Sequence, residues 1–564
     1  MHIKKIEIAG KYVMPFTIPS GIVTTDVRCA KKLLEEIPEI GIWTTKSIGP
    51  SPRIIPERDE VENPREGVEY ANRETIILKY DSGCPGSFMN RVGLNDEGAL
   101  AMRKKIIEAH LPADKIINAS LRGKTWEDFV ATAKVLEDVV NMMEVNVSCP
   151  HAKGYGKVLG QDPEMVYSII SALKSNVHNP VFAKFGPDFG TLENSIKAAL
   201  KAGVDGLVLI NTAGPGYYSI DGHQVLAGDG FGGLSGEAIR PLGLRAVRMA
   251  RQIVGNIPIF AMGGISTAEH IRQYQEAGAG GPMVFGIGSG LAGMDSEAVV
   301  KYFPAIVSDA NNGTNKAKTY LRNVDMTYKK LIIDEVVSQV DDFKIFRTSS
   351  KIDCGPGQFG FVAMLINGRL EEKPVSIMDD NPLTFGILSR GYFTGRFNNL
   401  KSEDSFFFRG PYGKSVEVPQ DSSVVLVGGG CGIAGLYLPA KRLSENVQDI
   451  QVFLGAKDKQ HLGYLKEFER FAEVRIATDD GSLGTQGFVT DLLRREGIMA
   501  GSYFFNCGPK AMVNAILPFE LATSSREKIF SSLDYLTSCG IGLCGRSVND
   551  RGERTCVDGP FMNP

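Results

Sequence analysis

Short apolar runs recur between Ile42 and Ser289, each followed by a stretch of helical cadence: Ile42-Trp43-Thr44-Thr45, Ile116-Ile117-Asn118-Ala119-Ser120, Met143-Glu144-Val145-Asn146-Val147, Val181-Phe182-Ala183-Lys184-Phe185, Leu207-Val208-Leu209-Ile210-Asn211, Ile259-Phe260-Ala261-Met262 and Met283-Val284-Phe285. Strand–helix alternation sustained over roughly 250 residues predicts a closed parallel (β/α)8 barrel. Chemistry in that fold gathers at the C-terminal strand ends. Here those ends carry Lys46, Asn118, Asn146, Cys149, Lys184, Asn211, Gly263 and Gly288 in succession.

The polar, Gly/Asn-rich stretch from Ser308 to Asn315 has no periodicity and reads as a linker. Beyond it the pattern changes. Residues 325–415 alternate like short strands broken by Gly and Pro, 422–515 return to strand–helix alternation, and the tail from Ser531 is rich in Gly and Cys. A chain of 564 residues is too long for one core. The expected division is multidomain α/β: a barrel over 1–312, a small β-barrel over 323–417, a nucleotide-binding α/β domain over 418–520 and a cluster-binding cap over 521–564.

Composition narrows the function. With 62 Lys+Arg against 65 Asp+Glu and no basic run interleaved with aromatics, nucleic acid is a poor partner. The start, Met1 to Ile8, alternates like a strand rather than a signal peptide, and no apolar run reaches membrane-spanning length, so a cytosolic protein is expected. In a reducing cytosol Cys539, Cys544 and Cys556, crowded near the end, favour a metal over a disulfide.

Gly263-Gly264-Ile265-Ser266 and Gly286-Ile287-Gly288-Ser289 each follow a strand in consecutive late units, so their backbone N–H groups are placed to converge on one phosphate. Lys184 stands inside an apolar run, where a lone ammonium is costly, and therefore needs an anionic partner. A reduced flavin and a barrel carboxylate are both open as that partner, and Lys46 has the same two readings.

Glu144-Val145-Asn146-Val147-Ser148-Cys149-Pro150-His151, with Asn90-Arg91-Val92-Gly93-Leu94-Asn95 and Asn211-Thr212, resembles the active-site set of class 1 dihydroorotate dehydrogenases. The resemblance covers residues 1–305. It implies FMN held by Ser20, Gly21, Lys46, Asn118, Asn146, Lys184, Gly236, Gly263, Gly264, Gly286 and Ile287. It implies substrate contacts from Lys46, Asn90, Val92, Gly93, Leu94, Asn146, Asn211 and Thr212, and Cys149 as the base facing the substrate ring opposite the flavin. Asparagine suits this task, since its amide matches the alternating N–H and C=O edge of a pyrimidine. Many relatives have Asn where this chain has His151; dihydropyrimidine dehydrogenases carry His there.

Residues 323–564 resemble the electron-transfer subunit that partners the NAD-linked enzyme. Lys373-Pro374-Val375-Ser376 stands at the family's Arg-x-x-Ser FAD site, with Thr394 as a further contact. Lys for Arg keeps a point charge and loses the bidentate fork. The buried strand from Val424 runs into Gly428-Gly429-Gly430-Cys431-Gly432, an arrangement that presents helix N–H groups to a pyrophosphate. With Cys507-Gly508 on a later strand, Gly429, Gly430 and Gly432 are the expected NAD site. Lys457 and Lys459 leave NAD and NADP both open. The tail holds Cys539, Cys544 and Cys556, with Ser547 in the third ligand position of a Cys-x4-Cys-x2-Cys pattern for a [2Fe–2S] cluster. Serine is the harder, less acidic donor, which predicts an altered, labile or absent cluster.

The activity this implies is oxidation of dihydroorotate to orotate in pyrimidine biosynthesis, electrons passing from FMN through the cluster and FAD to NAD+, in a cytoplasmic homo-oligomer paired through its barrel. The alternatives are NAD(P)H-dependent reduction of uracil or thymine, prompted by His151, electron delivery to a non-NAD acceptor if Ser547 breaks the relay, and an electron-transfer or redox-binding protein whose barrel is catalytically idle.

Overall fold

Eight short strands, almost wholly buried, pair in parallel and close on themselves: β1 (Phe16–Ile18), β2 (Ile40–Thr44), β3 (Ile116–Leu121), β4 (Met142–Asn146), β5 (Val181–Phe185), β6 (Gly206–Leu209), β7 (Ile259–Met262) and β8 (Met283–Gly286). Parallel strands covered on both faces read as continuous apolar runs, which is why the sequence exposes them. The computed structural model describes residues 2–54, 69–70, 77–79, 86–148, 157–226, 229–340, 342–462, 465–533 and 535–564. It divides into two units, Met1–Val324 with Ile541–Arg554, and Asp325–Gly540 with Thr555–Pro564.

In the first unit, α1 (Val27–Glu36), α2 (Ala99–Ala109), α3 (Trp126–Leu136), α4 (Pro163–Asn176), α5 (Leu192–Lys201), α6 (Arg240–Val254), α7 (Ala268–Ala277) and α8 (Ser296–Asn312) follow the strands in turn. A hairpin of Ile6–Ile8 with Lys11–Val13 plugs the N-terminal end, packing Ile8 and Val13 against Ile42, Ile116, Phe182 and Phe260. The C-terminal ends are left for chemistry. An antiparallel sheet built from Ile77–Lys79, Phe88–Asn90, Phe231–Ser235 and Ala213–Tyr217 stands at that end.

Two expectations are corrected. Ser308 to Asn315 is no linker: it is the last turn of α8 and its cap, with Gly313 in the left-handed region (φ 74°). Asp309 is buried there and accepts from Thr314 Oγ1, Lys316 N and Ala317 N, so its polarity serves a cap. The boundary falls at Val324 instead. The tail is not one domain either, since 541–554 belongs to the first unit. Val23 N donates to Leu543 O (2.6 Å), Gly293 N to Ile541 O (2.9 Å), and the buried Arg554 guanidinium to Gly542 O and Met294 O (3.0 Å each). A glycine-rich segment has no periodic apolar face from which its core is readable.

The second unit opens with β9 (Lys329–Val340), β10 (Phe343–Thr348), β11 (Phe359–Ile366), β12 (Arg369–Ser376), β13 (Asp379–Asp380), β14 (Leu383–Leu388) and β15 (Ser405–Tyr412), hydrogen-bonded in the order β12-β11-β15-β9-β10-β14-β13. Its interior is aromatic, with Phe346, Phe385, Phe393, Phe397 and Phe406 in one cluster. A parallel sheet follows, β16 (Ser423–Gly429), β17 (Asp449–Ala456), β18 (Glu473–Thr478), β19 (Thr485–Gln486), β20 (Tyr503–Cys507) and β21 (Ile529–Ser532), in the order β19-β18-β17-β16-β20-β21. Such a crossover sheet binds ligands at the carboxyl ends of its strands. No helix among the described residues is long and apolar enough to cross a membrane.

Candidate active site

A cleft opens where the barrel strands end. Its lining includes Ser20, Gly21, Lys46, Asn90, Val92, Gly93, Leu94, Asn146, Lys184, Asn211, Thr212, Gly236, Gly263, Gly264 and Gly286. Asn118 and Ile287 lie outside this lining. Asn118 is buried and donates to Thr44 Oγ1 (3.2 Å), and Ile287 N is taken by Thr17 O (3.0 Å). Cys149, Pro150 and His151 lie outside the described residues.

The polar side chains form a network. Asn146 Nδ2 donates to Ser47 Oγ (2.9 Å), Ser148 Oγ to Asn146 Oδ1 (2.9 Å), and Asn211 Nδ2 to Ser148 Oγ (2.9 Å). Ser47 also meets Ser20 Oγ (3.3 Å) and Ser120 Oγ (3.0 Å). Ser120 Oγ donates to Glu144 Oε1 (3.0 Å), and Glu144 Oε1 receives Lys184 Nζ at 3.1 Å. Of the two partners left open for Lys184, the carboxylate is therefore present. Lys46 Nζ donates to Gly93 O (3.0 Å) and so holds the turn that carries Val92 and Leu94.

The glycine turns are shaped for close approach. Gly264 has φ +74°, and a Cβ there would stand 2.8 Å from Gly236 O. At Gly286 a Cβ would stand 2.9 Å from Met262 Cβ. Behind the first turn, Tyr274 donates to Gly263 O (2.7 Å), Tyr302 to Ser266 O (3.0 Å), and Ser266 N donates to His270 Nδ1 (3.2 Å). Burial, then the neighbouring Arg240, pushes the His270 imidazole down to about 4, leaving it a neutral acceptor. Paired glycine turns at one end and lysine and asparagine donors at the other fit a flavin mononucleotide, phosphate and ring respectively. Sequence reasoning missed Ser47, the hub of the network, and Leu543, which lines the cleft from within the Cys-x4-Cys motif. Ser47 directly follows a singled-out lysine, which was a usable signal; Leu543 had none.

In the second unit the expected cofactor motifs meet. A Cβ on Gly432 would stand 2.2 Å from Cys507 O and 2.7 Å from Gly508 N, and one on Gly435 3.1 Å from Cys507 Sγ and 3.2 Å from Ser376 Oγ. Burial and the nearby Cys431 push the Cys507 thiol up to about 12, so it is neutral. Gly430, Cys431, Arg390, Lys457 and His461 line a neighbouring cleft. Lys373 is exposed on β12. Thr394 caps the short helix Tyr392–Phe397, its Oγ1 accepting from Arg390 N (3.1 Å) and Gly391 N (3.0 Å). Cys539 and Cys556 belong to this unit, Cys544 and Ser547 to the first, and all four side chains are buried. Among the described residues no three His, Cys, Asp or Glu side chains are gathered to hold a metal ion.

A closed parallel barrel whose last two strand ends carry glycine turns over a lysine- and asparagine-lined floor defines the phosphate-gripping class of (β/α)8 enzymes. The dihydroorotate dehydrogenase family pattern matches residues 69–303. The catalytic subunit of dihydroorotate dehydrogenase B (NAD+) from Methanocaldococcus jannaschii is 34% identical over 291 residues, 51% of this chain and 87% of that protein. From the same organism the probable electron transfer subunit is 33% identical over 234 residues, 41% of this chain and 87% of that protein. The Thermoplasma volcanium catalytic subunit is 35% identical, covering 48% of this chain and 82% of its own length. Among solved structures, an NADH-dependent reduced ferredoxin-NADP oxidoreductase is 28% identical with a TM-score of 0.37, covering 41% of this chain and 87% of that one. The chain belongs to the dihydroorotate dehydrogenase B (NAD+) family and carries the likeness of both its subunits.

Proposed function

We propose that the chain oxidises dihydroorotate to orotate and delivers the electrons to NAD+, using FMN in the barrel, FAD and NAD in the second unit, and a [2Fe–2S] centre. The observation that carries this reading is the cleft that gathers Lys46, Asn90, Asn146, Lys184 and Asn211 beneath two glycine turns. FMN, when bound, supplies the hydride acceptor. Asn90, Asn146, Asn211 and Thr212 hold the pyrimidine edge by amide and hydroxyl hydrogen bonds, and the Val92-Gly93-Leu94 turn offers N–H groups to the substrate carboxylate. Ser47 and Ser148 keep the Asn146 and Asn211 amides in their orientations. Cys149, three residues after Asn146, takes the C5 proton.

In the second half, the Lys373-Pro374-Val375-Ser376 strand and Thr394 hold FAD within 323–417, and the glycine turn with Cys507 and Gly508 holds the nicotinamide nucleotide within 418–520. The family resemblance supports a cytoplasmic homo-oligomer joined through the barrel. Anaerobic addition of dihydroorotate to the purified chain is expected to bleach the flavin absorbance. In Cys149→Ala the bleaching slows by about 10²–10⁴-fold with FMN content unchanged. Equal bleaching rates in the two proteins overturn the assignment of the base.

A further inference from the structure

Lys184 and Glu144 stand on adjacent strands, and the β4–β5 register pairs Asn146 with Lys184 and Glu144 with Phe182. Alternation along a strand therefore points Glu144, Asn146 and Lys184 into the barrel, with the carboxylate one layer beneath the amide. Their side chains are 4% and 1% exposed for Lys184 and Glu144, and the ion pair spans 3.1 Å. The carboxylate is unevenly served: Oε1 takes both Ser120 Oγ and Lys184 Nζ, while Oε2 has no hydrogen-bond partner among the described residues. Lys184 lines the cleft and bonds only Glu144 among the described residues, so further ammonium N–H groups remain for the occupant.

We infer that Glu144 is a positioning residue that sets the reduction potential of the bound flavin by offsetting the charge of Lys184. The inference rests on the proposed FMN reading of the cleft. Reduction adds negative charge to the ring, and a cation at the cleft floor favours it. An anion 3.1 Å behind that cation opposes it. Water is excluded from both groups, so neither contribution is screened as it would be at a surface. A carboxylate retained only to satisfy a buried lysine would leave the potential alone and affect stability instead. The Ser120–Ser47–Asn146 hydrogen bonds tie the same carboxylate to the substrate-binding amide. The charge that tunes the ring is thus mechanically connected to the group that orients what the ring oxidises.

The test is an equilibrium redox titration of FMN in the full-length parent, Glu144→Gln, Lys184→Met and the double variant, with FMN content measured alongside. Glu144→Gln is expected to raise the ratio of reduced to oxidised flavin at fixed potential about tenfold, equivalent to about 30 mV for a two-electron couple. Lys184→Met lowers that ratio by a similar factor, and the double variant lies within about threefold of the parent. Should Glu144→Gln fail to fold, Lys184→Met against the double variant, where no cation is stranded, reads the same quantity. Flavin bound with the same potential in each compared pair overturns the inference. A chain that binds no FMN, or whose FMN is untouched by dihydroorotate, overturns the functional reading on which it rests.

Discussion

Glu520 is fully buried in the second unit, where Asn506 Nδ2 donates to its Oε2 at 3.0 Å while Oε1 has no partner among the described residues. Burial pushes its carboxyl from 4.5 up to about 7. The native state therefore holds the proton more tightly than the unfolded chain: its contribution is complete below the unfolded carboxyl value and is lost as pH rises through about 7. A shift of that size is worth roughly 3 kcal/mol. Glu520→Gln is expected to gain about that much over the parent between pH 4.5 and pH 8, read from urea midpoints at several pH values; a pH-independent gap between the two would refute this. Asp96 shows a different dependence on its neighbours. It pairs with the buried Arg122, accepts from Gly49 N (3.2 Å) and Gly98 N (2.8 Å), and so anchors the loop carrying Asn90 to Leu94. Asp96→Ala removes the carboxylate that neutralises the buried Arg122 guanidinium, with an expected loss of about 3–5 kcal/mol in thermal or denaturant unfolding and a raised KM for substrate. From sequence, the apolar run around Lys184 already required a negative neighbour. Glu144 was not identifiable as that neighbour, because strand register is a property of the folded sheet.

At the level of elements, the interior strands were legible because burial on both faces leaves an unbroken apolar run. Val181–Phe185 and Ile259–Met262 fall where the pattern puts them. The first strand, Phe16–Ile18, has only three residues and left no comparable run. The end of α8 was misread because a buried aspartate cap has the same composition as a flexible connection. The tail tests the ligand chemistry of its motif most directly. Replacing Ser547 by Cys is expected to raise iron and acid-labile sulfide per chain and to speed dihydroorotate-driven NAD+ reduction. Unchanged iron content in Ser547→Cys would show that this position is not a ligand.

For the molecule as a whole, the pattern of the sequence changes near residue 325, but it carries no sign that the first unit takes back Ile541–Arg554 from the far end of the chain. That segment brings Leu543 to the cleft and seats Arg554 against Met294 and Gly542. A fragment ending at Val324 is therefore expected to melt below the full-length protein and to retain less FMN after gel filtration. Equal melting temperature and equal flavin content would show the tail to be dispensable to the barrel. Because the unit is discontinuous, its last piece leaves the ribosome well after the rest. At about 5–20 residues per second, the stretch between Val324 and Ile541 imposes a delay of order 10–40 s. During that interval the nascent barrel lacks Leu543 at its cleft and the Arg554 contacts to Met294 and Gly542, so the first unit is completed only once the far end of its own message has been translated.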